Sequence, residues 1–137
     1  TFNSISIDSD TSTSDTLALF SLDKIDINFK NKNNFQKLNN SLYELMYDLS
    51  LKVVKDGEGI SKLIKVNILM SKSSKQAKKI AFSIINSPLV KTALSGQDAN
   101  WGRVIASIGK SEEKIIQNKI RILFGKYLVC EKRVFNS

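Results

Sequence analysis

The chain has 137 residues, 42% of them apolar and 25% charged, which is enough for one globular domain with a core of its own. It contains no histidine, which excludes Ser-His-Asp and Cys-His catalysis and removes the commonest zinc ligand. Its lone cysteine, Cys130, excludes an internal disulfide, and its net charge of +8 reads first as a lysine-rich solvated surface.

Residues 2–8 read as a half-buried strand, with Phe2, Ile5 and Ile7 set among Asn3, Ser4, Ser6 and Asp8. Asp8, Asp10 and Asp15 follow among Ser9, Thr11, Ser12, Thr13 and Ser14, a loop dense in short hydrogen-bonding side chains. Residues 15–22 are a second apolar stretch, read as another strand. Residues 23–34 are polar and read as an exposed loop, in which Ile25, Ile27 and Phe29 also admit a short edge strand. From Phe35 the period changes. Phe35, Leu38, Leu42, Leu45, Met46, Leu49 and Val53 fall at helical spacing, and Gly57 suits a position just past that helix. Residues 60–69, ISKLIKVNIL, read as a strand.

Ser73 or Ser74 is placed to cap a helix running to about Asn86, with Ala77, Ile80, Ala81, Ile84 and Ile85 as its core face. Lys72, Lys75 and Lys79 form its solvated side. Ser87-Pro88 starts a short helix that Gly96 ends. Asp98 is expected to cap a further helix from about Ala99 to Ile108, stopped by Gly109. The stretch from Ile115 to Phe135 is strand-like, with Gly125 turning a hairpin between Ile120–Phe124 and Tyr127–Val129. Strands alternate with helices, so the class is α/β or α+β.

Several blocks carry more than periodicity. FNSISIDSDTSTSD at 2–15 resembles a signature of the ornithine acetyltransferase family, close to FNRITVDGDTSTND, with Ser4 in place of its Arg, Ser9 of its Gly and Ser14 of its Asn. Asp56-Gly57-Glu58-Gly59 with Ser61-Lys62 is similar to its DGEGATK. The run from Asn86 to Ala93, NSPLVKTA, and Asp98-Ala99-Asn100-Trp101-Gly102-Arg103 complete the likeness. The blocks stand in the family's order over residues 2–109. The match fades from Lys110, so residues 1–109 are read as part of the β-chain acetyltransferase domain and 110–137 as the start of its C-terminal region.

The resemblance implies a layered sandwich of β-sheet covered by helices. It implies a cytoplasmic enzyme of arginine biosynthesis that moves an acetyl group from N-acetylornithine to glutamate through an acetyl-threonine. No metal or cofactor is implied, although acetyl-CoA is a substrate for some members. The implied partner is an α chain cut from the same precursor, in a heterotetramer of two α and two β chains. The family's nucleophilic threonine is followed by Met-Leu and lies upstream of the FNRITVDGDTST block. Thr1 is followed by Phe2-Asn3, so it aligns with an ordinary β-chain position, and the chain reads as an internal piece without the nucleophile. One substrate-binding residue carries over. Glu58 matches the family glutamate that contacts the ornithine-type substrate, and a carboxylate is the natural partner of an amino-acid ammonium. On Gly-x-Gly spacing alone, Glu58 would be a solvated turn residue.

The other candidates have plainer readings. Asp8, Asp10 and Asp15 could hold a hard cation, but side chains bonding backbone amides in a tight loop is the stronger reading. Trp101 reads as a packing anchor, Arg103 as a packing residue that could also hold a carboxylate, and Cys130 as a buried thiol. Two functional alternatives stand beside the enzyme. One is a non-catalytic binding domain of the same fold. The other, weaker, is a basic nucleic-acid-binding module, for which neither a single basic run nor a recognised motif is present. No apolar run reaches membrane-spanning length.

Overall fold

The structure, a computed structural model, describes residues 1–131 apart from Asp23, Ile25 and Phe29. The chain divides into two compact units, Thr1–Glu58 and Gly59–Ser137.

The first unit is built on one long helix, α1 (Lys32–Lys55). It starts three residues earlier than the apolar spacing indicates, because the Asn31 side chain accepts a hydrogen bond from the Asn33 amide and so caps a polar first turn. Along its polar side, Gln36 donates to Asn40 at 2.9 Å and Lys52 pairs with Asp48 at 2.8 Å, both at the i,i+4 spacing that places side chains in register. Lys52 and Lys55 lie in the last turn, where the helix dipole favours positive charge. Leu42 and Met46 are half-buried and Ser50 fully buried, its hydroxyl donating to the Tyr47 carbonyl.

The opening residues depart from expectation. Phe2–Ser4 form a 3₁₀ turn, closed by the Ser4 amide on the Thr1 carbonyl, instead of the expected strand over 2–8. Residues 15–22 form no strand either. A strand is held by its ladder, and the sheet among the described residues is made of the two strands of the later hairpin, not of these segments. Short side chains bond the backbone in between: Asp8 Oδ1 accepts from the Asp10 amide, and Ser12 Oγ from the amides of Ser14 and Asp15. The edge strand considered around Ile25, Ile27 and Phe29 rests partly on Ile25 and Phe29, which lie outside the described residues.

In the second unit, helices α2 (Ser74–Ile85), α3 (Pro88–Ser95) and α4 (Trp101–Lys110) precede a 3₁₀ turn at Gln117–Lys119 and an antiparallel hairpin of β1 (Arg121–Phe124) and β2 (Tyr127–Glu131). Ser73 caps α2 by accepting from the Gln76 amide, and Ser87 caps α3 with Pro88 at its first position, both as the sequence indicates. The hairpin forms where expected. Its two-residue loop puts Gly125 at φ +60, and a positive φ at the first loop position is what a II′ hairpin turn requires. Helices and hairpin meet in one core of Ile80, Ile84, Val90, Val104 and Ile122, with Phe124, Val129 and Cys130 packed against it. Cys130 is thus half-buried at the core margin. Four α-helices and a two-stranded antiparallel sheet are consistent with the expected α/β class, although the strands do not alternate with the helices. No helix among the described residues is long and apolar enough to cross a membrane.

Residues 60–69, expected as a strand, form no ladder among the described residues. Gly109 does not end α4; the helix continues to Lys110, because nothing crowds Gly109 and the chain turns only at Ser111 and Glu112, the latter at φ +59.

Lys79 of α2 pairs with Glu113 at 2.9 Å, tying the helix to the segment before the hairpin. The Glu113 hydrogen bond and charge, with Glu112 adding to them, raise the Lys79 pKa above its ordinary 10.5 against a small opposing effect of burial. A raised folded pKa means that the pair's contribution is fully present below the unfolded lysine value and is lost as pH rises through the folded one. The urea midpoints of the wild type and Lys79→Gln should therefore differ at about pH 8 and converge toward about pH 12. A gap that stays constant over that range would show that the ion pair is not its source.

Candidate functional site

The Asp56-Gly57-Glu58-Gly59 turn follows directly from the end of α1. Asp56 closes the helix with its amide on the Lys52 carbonyl, and Gly57 comes next, as expected for a helix end. Gly59 adopts φ +67 with open space where a Cβ would stand, so the glycine is required there by backbone conformation and not by a crowding neighbour. Glu58 between them is exposed, and no ion pair or hydrogen bond holds its carboxylate among the described residues. A carboxylate presented on a turn in this way is free to receive a cationic group.

The opening loop has a different character. The Asp8 carboxylate serves the backbone, and no group of three His, Cys, Asp or Glu side chains among the described residues could hold a metal ion. Ser9 stands at φ +79, a conformation that non-glycine residues rarely adopt. That explains why the resembled signature carries glycine at this position.

The blocks at 86–93 and 98–103 lie together in the second unit, on α3 and α4. The Arg103 guanidinium donates from Nη1 to the Leu89 carbonyl at 3.0 Å, fixing the first turn of α3 against α4. This is the packing role expected of Arg103. The helix cap differs from expectation. Asn100, not Asp98, caps α4 by accepting from the Arg103 amide at 3.1 Å, while its amide group donates to Asp98 Oδ2 at 3.0 Å. Asp98 thus orients the cap and does not form it. A Cβ on Gly102 would approach Asn100 Oδ1 to 3.4 Å, so the small residue leaves room for the cap. Trp101 is 47% exposed and is not part of the core among the described residues.

Sequence reasoning did not find the serines beneath these blocks. Ser107 is 5% exposed and donates to the Arg103 carbonyl at 2.8 Å, and Ser83 of α2 donates to the Ser107 carbonyl at 2.5 Å. A serine inside a helix gives no sequence signal that separates this role from a surface position. Replacing Asn100 with alanine should cost about 1 kcal/mol, the usual value of a lost N-cap, with Asn100→Ser recovering most of it by thermal melting. Equal losses for both variants would place the stabilisation in the Asp98 contact instead.

A helix-end turn presenting an exposed carboxylate, followed by a helical unit whose motif blocks interlock through Arg103, defines an α/β chain. The comparisons with known proteins name the family. The ArgJ family model matches residues 1–137, and the chain belongs to that family. It is 45% identical over 131 residues to the arginine biosynthesis bifunctional protein ArgJ of Agrobacterium fabrum, covering 91% of this chain and 32% of that protein. It is 45% identical over 141 residues to the protein of the same name from Brucella suis, covering 96% and 33%. The crystal structure of the ArgJ protein from Bacillus halodurans matches it with a TM-score of 0.87 and 34% identity, over 99% of this chain and 66% of that one. The chain therefore spans about a third of the length of the curated relatives that it matches.

Proposed function

We propose that this chain is an internal part of the β chain of an ornithine acetyltransferase that also acts as an N-acetylglutamate synthase. The observation carrying this reading is the family match over residues 1–137, which includes the whole Asp56–Gly59 turn. In the proposed reaction a threonine hydroxyl, outside this chain, attacks the acetyl carbonyl of N-acetylornithine. The amide C–N bond breaks, ornithine leaves with the proton, and an acetyl ester forms. The glutamate amine then attacks the ester, forming N-acetylglutamate and restoring the hydroxyl. Acetyl-CoA is a second acetyl donor in the bifunctional form. Glu58 is proposed to receive the substrate ammonium. Its exposure supports that role, since among the described residues no ion pair or hydrogen bond holds the carboxylate. The proposed assembly is a cytoplasmic heterotetramer of two α and two β chains produced by self-cleavage.

The full-length protein should release ornithine from N-acetylornithine in the presence of glutamate, and the 137-residue chain alone should not. The absence of histidine removes the usual means of activating a substitute nucleophile. Turnover by the short chain that Thr1→Ala abolishes would make Thr1 the nucleophile and overturn the reading. Binding of N-acetylornithine by the full-length protein without turnover would replace it with a non-catalytic binding domain.

A further inference from the structure

Two serines of the second unit join motif blocks that lie far apart in the chain. Ser61 stands three residues past Glu58, and Ser95 is the last residue of α3. Their hydroxyl oxygens are 3.1 Å apart, one donating to the other, across 34 positions of sequence. Ser95 belongs to a well-held helix. The inner face of α3 is buried through Val90 and Ala93, 2% and 5% exposed, and the Arg103 guanidinium fixes its first turn by donating to the Leu89 carbonyl at 3.0 Å. Just past Ser95, the Gly96 amide closes the helix on the Thr92 carbonyl. The Glu58 turn is open by contrast. Gly57 and Gly59 flank the carboxylate, and Gly59, at φ +67, has nothing within 4 Å of the place a Cβ would take. Glycine has the most backbone freedom to lose on ordering, so a carboxylate between two glycines keeps one direction only if the chain beside it is anchored.

We infer that the Ser61–Ser95 hydrogen bond aims Glu58 at the substrate ammonium, with both serines as positioning residues that act through the turn. This rests on the proposed role of Glu58 as the ammonium receiver. The bond pins the chain just downstream of the carboxylate to the ordered end of α3. With the bond broken, the turn spreads over more orientations, and only a fraction of them place Glu58 where the ammonium arrives. Apparent affinity falls by that fraction, whereas substrate that has bound reacts as before. The loss therefore falls on KM and spares kcat. One hydrogen bond between two solvent-facing hydroxyls sets its size, at about threefold. A bond that merely braced the surface would leave KM where it is.

Steady-state kinetics of the full-length protein test this, with N-acetylornithine varied at saturating glutamate. The variants are Ser61→Ala, Ser95→Ala, the two together, Ser61→Thr and Glu58→Gln. Both serines are exposed, so alanine at either leaves the fold intact. Each alanine should raise KM about threefold and hold kcat within about twofold. The double variant should match the single ones, because the same bond is already gone. Ser61→Thr keeps the hydroxyl and should keep the wild-type KM. Added to Glu58→Gln, Ser61→Ala should have no further effect, since the charge it would aim is absent. Unchanged KM in the alanine variants, effects that multiply in the double variant, or a loss confined to kcat would each overturn the inference. Glu58→Gln tells the two claims apart. If it raises KM and the serine variants do not, the positioning role alone falls. If it leaves KM unchanged, the ammonium role falls and takes the positioning role with it.

Discussion

Replacing Glu58 with glutamine in the full-length protein is expected to raise KM for the amino-acid substrate by about tenfold or more, with self-cleavage little changed. Gln keeps the size of the side chain and one hydrogen-bonding oxygen, and removes only the charge. The size of the effect separates two situations. If the ammonium–carboxylate pair stays open to water, as Glu58 itself is in this chain, the pair is worth at most about 1 kcal/mol and KM moves less than about sixfold. If substrate and protein enclose the pair, losing one partner leaves the other charge unpaired, and the tenfold threshold is passed. Under the proposed reading, self-cleavage serves as the control, because a cut at a threonine junction would not need a carboxylate at this turn. Unchanged substrate kinetics would reduce Glu58 to a solvated turn residue.

The sequence was most legible where local chemistry decides the structure. Ser73 and Ser87 cap their helices as their position before apolar periods indicates, Pro88 takes the first helical position, and Gly125 turns the hairpin. These features depend on a few neighbouring residues, and their side chains announce them. It was least legible where structure depends on a distant partner. The segments at 2–8, 15–22 and 60–69 have strand-like apolar patterns, but a pattern supplies only side chains, and a strand also needs a ladder. Only for residues 60–69 does the alternating burial survive without one, because Val66 and Ile68 have a core to rest on. Asp98 and Asn100 show a finer limit. Both are good capping residues two positions apart, and the choice between them rests on backbone geometry that composition does not carry. In the candidate site, the Gly-Glu-Gly turn was legible from spacing, whereas the role of Arg103 as a tie to the Leu89 carbonyl required the packing of α3 on α4.

Replacing Ile84 with alanine should be the most damaging change to the second unit, at about 2–5 kcal/mol. Ile84 is 6% exposed and sits in the cluster with Ile80, Val90, Val104 and Ile122, so the deleted carbons leave a hole lined by several elements. Val90 is more deeply buried at 2%, but Val→Ala removes fewer atoms, so Ile84 makes the larger cavity. Leu89 provides the contrast. Its side chain is 58% exposed, and its contribution to the α3–α4 tie is a backbone carbonyl that alanine retains. Leu89→Ala should therefore shift stability by no more than about 0.5 kcal/mol. Urea unfolding of the two variants reads the difference: the midpoint should fall sharply for Ile84→Ala with the slope unchanged, and hardly move for Leu89→Ala. For a domain whose total stability is typically about 5–15 kcal/mol, a loss of this size brings the second unit near its unfolding threshold. It would also loosen the packing of α2 on α4, through which Ser83 and Ser107 connect to Arg103. Similar midpoints for the two variants would mean that the cluster around Ile84 is not the core that holds these helices together.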